Sequence, residues 1–150
     1  MQPSRHIIWN TGLVNAQDRK RLCRHFLGLD QAARVCRFNV HMTDASLIRW
    51  SETCRLDCLG VVCVENAPVA VLEGVRAKDF SVSRLWEVGV SVWQGHRERG
   101  HARALLEGFL SSIPDQDRVL VHTRPDNTPM LSLSRSVMLE HPDRFESVVL

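Results

Sequence analysis

Residues 94–102 read QGHRERGHA, two arginines and two glycines set between a β-type run, WEVGVSVW, and a helical one, RALLEGFL. Such a stretch offers almost nothing to pack. It does offer a place for an anion. Backbone N–H groups at the start of a helix have no intrahelical partner. The helix dipole adds partial positive charge at the same point, and the two together suit a phosphate or pyrophosphate. Gly100 tolerates a positive φ and removes a side chain where a ligand must come close, and Ala102 is small for the same reason. Arg97 and Arg99 add charge at the rim. The plainer alternative is a solvated basic loop. Gly95 and Gly100 have the Walker spacing, but no Lys-Ser/Thr pair follows, and the loop is not GxGxxG.

Proton-transfer chemistry has two candidates. Glu87 lies near the start of the β-type run, where a carboxylate could act as a base through one water. Its alternative is a salt-bridged edge residue. His122, in RVLVHTR, belongs to the residue type that exchanges protons near neutrality. Its alternative is a hydrogen-bonded core histidine. Cys54, Cys58 and Cys63 form no CxxC and lack zinc-ligand spacing, so no metal is expected. Nothing places a base beside them, which argues against a cysteine nucleophile. The five cysteines read as reduced, mostly buried thiols of a cytoplasmic protein.

The elements that position these groups follow from period and punctuation. At 150 residues, 44% apolar and 24% charged, residues 1–150 read as a single globular domain. A net charge of +2 is too mild for a nucleic-acid partner, and the basic cluster RKRLCR alternates with apolar positions like the wet face of a helix. No secretory apolar segment opens the sequence. The longest apolar run, CLGVVCV at 58–64, is too short to span a membrane, so no membrane partner is expected. Helical periodicity covers 16–27, with Gly28 as a stop, and a second helix is expected over 43–53 with Thr43 or Asp44 as cap. LGVVCV and VAVLEGV flank the turn cluster ENAP (65–68) as an antiparallel hairpin. Over 85–93, alternation puts Trp86, Val88, Val90 and Val92 on one face. Ala102, Leu105, Leu106, Phe109 and Leu110 make one helical stripe. A strand at 118–124, a helix from Pro129 to about Met138 and a last strand in RFESVVL complete the chain. The strand–helix–strand unit over 85–124 should pair in parallel with a right-handed crossover. The class is α/β, with a mixed sheet.

The run Arg97-Glu98-Arg99-Gly100-His101-Ala102 resembles the R/Q-x-x-G-x-G/A signature of the GNAT acetyltransferase superfamily. EVGVSV just upstream and Asn127 heading the next helix, in the pattern N-x-x-M/A, strengthen the resemblance. It covers about 55–138 well and the N-terminal helices loosely. It implies a GNAT-like, mostly antiparallel sheet with a central parallel strand pair splayed at the cofactor site and helices flanking it. It implies acyl-CoA binding, usually acetyl-CoA. Backbone groups of Val90 and Val92 would pair with the pantetheine arm as an added strand would. Amides of residues 97–102 would hold the pyrophosphate, and Asn127 would contact the cofactor arm or fix the splayed strands.

In such a protein a primary amine attacks the thioester directly. Glu87 stands where some members place a catalytic Glu, and a strand N–H near Val90 would meet the oxyanion. Where the family commonly carries a Tyr acid, this chain has Ser134, and it contains no Tyr at all. Ser134 is a poor acid at neutral pH, although a thiolate can leave unaided. The implied activity is N-acetyl transfer to a small-molecule or protein amine. The alternative is a non-catalytic acyl-CoA-binding sensor or assembly module of the same fold. MLEHPDRFESVVL has room for one good strand where the family closes with two, and a homodimer is one way to complete that edge.

Overall fold

The computed structural model describes residues 4–77 and 84–150. Its elements are β1 (Arg5–Asn10), α1 (Ala16–Leu27), α2 (Gln31–Phe38), α3 (Asp44–Thr53), β2 (Cys58–Val64), β3 (Ala67–Arg76), β4 (Leu85–Val92), α4 (His101–Ser112), β5 (Arg118–Thr123), α5 (Thr128–Glu140) and β6 (Phe145–Val149). The strands form one sheet in chain order. β1 to β4 pair antiparallel, while β4–β5 and β5–β6 pair parallel. The parallel region therefore extends beyond the single central pair, because the one closing strand runs alongside β5.

Local chemistry sets most of the boundaries. Asn15, Asp30, Thr43 and Asn127 cap α1, α2, α3 and α5, each accepting a backbone N–H with its side chain. At α1 the cap is reciprocal, Asp18 reaching back to the Asn15 N–H. The hairpin turn is tighter than the ENAP cluster suggests. Only Glu65 and Asn66 lie outside the strands, at φ 50° and 67°. Two left-handed residues in a row are what a two-residue hairpin requires.

The sheet is covered on both faces. Phe109, Leu105 and Leu106 of α4 pack with Trp86 and Val88 on one side. Leu22, Phe26 and Leu47 of α1 and α3 pack with Val61 and Val71 on the other. Double coverage explains why β2 is an unbroken apolar run. β1 and α2 are additions to the elements read from the sequence. In β1, the successive residues Ile7, Ile8 and Trp9 are all half-buried, so the edge strand has no polar–apolar alternation. α2 has only two turns, started by Asp30 and ended by Asn39 at φ 60°. Its buried Arg34 donates to the carbonyls of Leu27, Leu29 and Met42, which closes the connections on both sides.

The feature that matters for function is a split in the sheet. β4 and β5 pair only from Leu85↔Arg118 to Val88↔Val121. β4 then continues to Val92 against β3 alone, while β5 stays with β6 as far as Thr123↔Val149. The Trp93 N–H donates to Val69 O, toward β3. Backbone direction alternates along a strand, so the N–H and C=O groups of Val90 and Val92 face the opening.

Candidate functional site

A cavity of about 640 Å³ fills the opening. Val90, Val92, Arg97, Gly100, Ala102 and Asn127 are among its walls, and Glu98 and His101 join them. Arg99 lies outside that lining, and Arg103, absent from the sequence reading, is part of it. A second cavity of about 320 Å³ lies on the other side of the split, with Glu87, Gly89 and His122 in its wall. Arg37, Val90, Asn127 and Met130 border both, so the two meet where β4 and β5 part. The volumes suit a long ligand in one and a small one in the other.

The larger cavity ends on the start of α4. Among the described helices of two turns or more, α4 alone has no side-chain cap. Its N-cap is Gly100 at φ 78°, its first turn holds no acid, and Ala104 is the first residue to bond back, to Gly100 O. The N–H groups of His101, Ala102 and Arg103 are left to whatever fills the cavity. Glu98 is also left-handed, at φ 61°. Two positive-φ residues fold the loop back over the helix start.

His101, the first residue of α4, has a defined tautomer. Arg5 Nη1 lies 3.3 Å from its Nδ1, and a guanidinium can only donate. Nδ1 therefore accepts and the ring proton sits on Nε2, which is buried with no partner. Burial and, after it, the Arg5 charge hold the imidazole pKa below its ordinary value. His101 borders the cavity as a neutral imidazole.

The free half of β4 is held from behind. His25, fully buried, reaches Pro68 O at 2.7 Å through Nδ1 and Ser91 Oγ at 2.8 Å through Nε2. The carbonyl fixes the proton on Nδ1, so Nε2 accepts from the hydroxyl. Burial lowers the His25 pKa to about 4, with a backbone bond opposing and Arg37 adding to the shift. Trp93 stacks on the same ring and donates to His25 O at 2.7 Å. Trp93 is thus a brace, not part of either cavity wall.

The smaller cavity holds an ion pair that the sequence reading missed. Arg37 Nε and Nη2 donate to the two oxygens of Glu73 at 2.8 and 2.7 Å. Glu73 is 2% exposed and stands opposite Gly89 in the sheet register. The guanidinium crosses the β4 backbone so closely that a Cβ at Gly89 would lie 2.7 Å from Arg37 Nε. One signal was available: Glu73 is a lone charge inside the buried run VAVLEGV, and such a charge needs a partner.

Glu87 and His122 are both exposed and share this cavity, so His122 is not a core histidine. Ser134 is different. It is fully buried on α5, its hydroxyl has no partner, and it borders neither cavity. The structure does not bring it to the other candidates. Asn127 borders both cavities while capping α5 through the Met130 N–H. Cys58 and Cys63 are buried, and burial pushes the Cys58 thiol up to about 12 and the Cys63 and Cys54 thiols upward too, which suits none of them to nucleophilic work. Glu107, Glu140 and His141 come within 4.8 Å of one another. Arg103 pairs with both carboxylates and His141 with Glu107, so the cluster is satisfied without a metal. Among the described residues no helix is long and apolar enough to cross a membrane.

Solved N-acetyltransferase structures share this fold. The chain has the GNAT fold. The GNAT domain of S. lividans PAT superposes with a TM-score of 0.66 at 17% identity, over 87% of this chain and 78% of that one. A ribosomal-protein-alanine N-acetyltransferase from Brucella melitensis biovar Abortus 2308 gives 0.63 at 12% identity, covering 89% of this chain and 90% of that one. The aminoglycoside N-acetyltransferase AAC(6')-Iy, solved in complex with CoA, gives 0.58 at 14% identity, covering 91% and 88%. No family model and no curated protein sequence matches the chain. Within the GNAT frame, β4 is the strand beside the split and α4 follows the signature loop.

Proposed function

We propose that this protein transfers an acetyl group from acetyl-CoA to a primary amine by direct attack. The observation that carries the reading is the continuous path from the open backbone edge at Val90 and Val92 to the uncapped N-terminus of α4. A pantetheine-like amide chain matches such an edge as a further strand would, and a pyrophosphate matches the helix start. Arg97 adds a charged donor beside it.

Acetyl-CoA would supply an activated acyl group at the junction of the two cavities. Glu87, in the wall of the smaller one, would take a proton from the incoming ammonium through one water. The amine nitrogen then bonds the acyl carbon and the C–S bond breaks. The Val90 N–H would donate to the acyl oxygen as negative charge builds there. The leaving thiolate needs no dedicated acid at neutral pH, and the proton held by Glu87 or by solvent neutralises it. His122 is the second base in the same cavity.

Calorimetric titration with acetyl-CoA, with dephospho-CoA and AMP as controls, tests the binding half. The expected outcome is micromolar affinity for acetyl-CoA and a large loss for AMP, which lacks the pantetheine arm. Gly100→Glu should abolish binding while near-ultraviolet dichroism stays native, because a Cβ there meets nothing within 4 Å. The left-handed backbone at that site costs about 1–2 kcal/mol for a non-glycine residue. Unchanged affinity in the folded variant would remove the loop from the site. The second reading, a non-catalytic acyl-CoA sensor, is favoured by the burial of Ser134 away from both cavities. Release of thiol that depends on an added amine separates the two.

A further inference from the structure

Resting on the transferase reading, we propose that the amine acceptor carries a carboxylate, and that Arg37 and Glu87 bracket it as a zwitterion: a small α-amino acid, with its carboxylate on Arg37 and its amine at Glu87.

A guanidinium has five N–H donors. Two of those on Arg37 go to Glu73, and among the described residues no other hydrogen bond of Arg37 is formed. The remaining three are held in one plane by the bidentate pair below and by the rings of Phe38 and Trp50, at 4.7 and 5.6 Å. The side chain is 21% exposed and borders both cavities, so the open donors face the space where acyl group and acceptor meet. A fixed fork of this kind is built for a carboxylate.

The spacing agrees. Arg37 lies over Gly89, two residues from Glu87 on the same face of β4. Positions i and i+2 of a strand are roughly 7 Å apart. Long side chains rising from positions so close can reach the two ends of one small amino acid, the amine through the bridging water. The charge balance agrees as well. Arg37 and Arg55 line this cavity against Glu73 and Glu87, and Arg37 holds both oxygens of Glu73. Among the described residues, no guanidinium is bonded to Glu87. Arg55, at the rim, is bonded to Asp57 and the Arg76 carbonyl. The open donors of Arg37 and the Glu87 carboxylate offer a zwitterion one partner for each of its charges.

The test is a panel of L-amino acids and their C-terminal amides, assayed with acetyl-CoA for thiol release, beside alkylamines that lack a carboxylate. At least one amino acid should exceed its own amide in kcat/KM by about tenfold or more. In Arg37→Lys, which keeps a cation for Glu73 but loses the fork, that preference should shrink through KM for the amino acid, with KM for acetyl-CoA unchanged. If Arg37→Lys does not fold, the double variant Arg37→Met/Glu73→Met, which removes both buried charges together, carries the same comparison. Equal rates for acids and amides, turnover of alkylamines alone, or a preference that survives both variants overturns the inference and leaves the transferase intact. Silence on every amine overturns the transferase reading and this inference with it.

Discussion

His25 has no solvent contact, yet it joins the end of α1, the start of β3 and the free half of β4 through Pro68 and Ser91. Its neutral state is part of that joint, because a proton on Nε2 would face a hydroxyl that already donates to it. The folded pKa lies near 4, below the ordinary value of 6.5. The unfolded chain therefore binds more protons at mildly acid pH, and stability must fall as pH drops through that window. Between pH 7 and 5 the expected loss from this group is about 2 kcal/mol. In His25→Gln, which can still donate to the carbonyl and accept from Ser91, urea unfolding should lose most of that slope. An unchanged slope would assign it to other groups. Most of the loop Arg97–Ala102, Glu87 and Asn127, singled out by spacing and boundary, do stand in the cavity walls. The Arg37–Glu73 pair was half legible: Glu73 announces a need for a cation, but nothing local says which arginine answers it.

At the scale of elements, legibility followed self-sufficiency. α1 carries its own stripe, capping box and stop, and its bounds match the sequence expectation. α2 and β1 depend on tertiary partners. Trp9 of β1 lies over two glycines, and a Cβ at Gly60 or Gly108 would come within 2.5 or 2.8 Å of its ring. β1 is thus seated by holes in β2 and α4 rather than by its own pattern. Gly60→Ala should destabilise the protein by about 1–3 kcal/mol through overpacking, with a matching fall in Tm by calorimetry. An unaltered Tm would mean that Trp9 repacks freely and that β1 is loosely held. The splay of β4 from β5 was expected from the family resemblance and is found, but its exact start after Val88↔Val121 was not legible, since either strand has residues enough to continue the pairing.

The whole molecule carries two apolar clusters, one on each face of the sheet, and β2 and β3 contribute to both. The fold around them is shared, at 12–17% identity, with the solved structures it resembles. Apolar period and turn chemistry tolerate wide substitution, so the fold survives where few side chains do. On the proposed reading, donor binding asks mainly for backbone, which survives with the fold, and acceptor choice asks for side chains on α2, β3 and β4.

The parting of β4 from β5 also gives the protein a built-in reporter. Amide protons of Gly89 and Ser91 point into the β3 ladder, whereas those of Val90 and Val92 point into the gap. In the free protein, deuterium should enter Val90 and Val92 many times faster than their immediate neighbours, an alternation written into a single strand. Saturating acetyl-CoA should slow those two sites and leave the neighbours alone. Uniform protection along β4 without ligand would mean that the gap closes in solution.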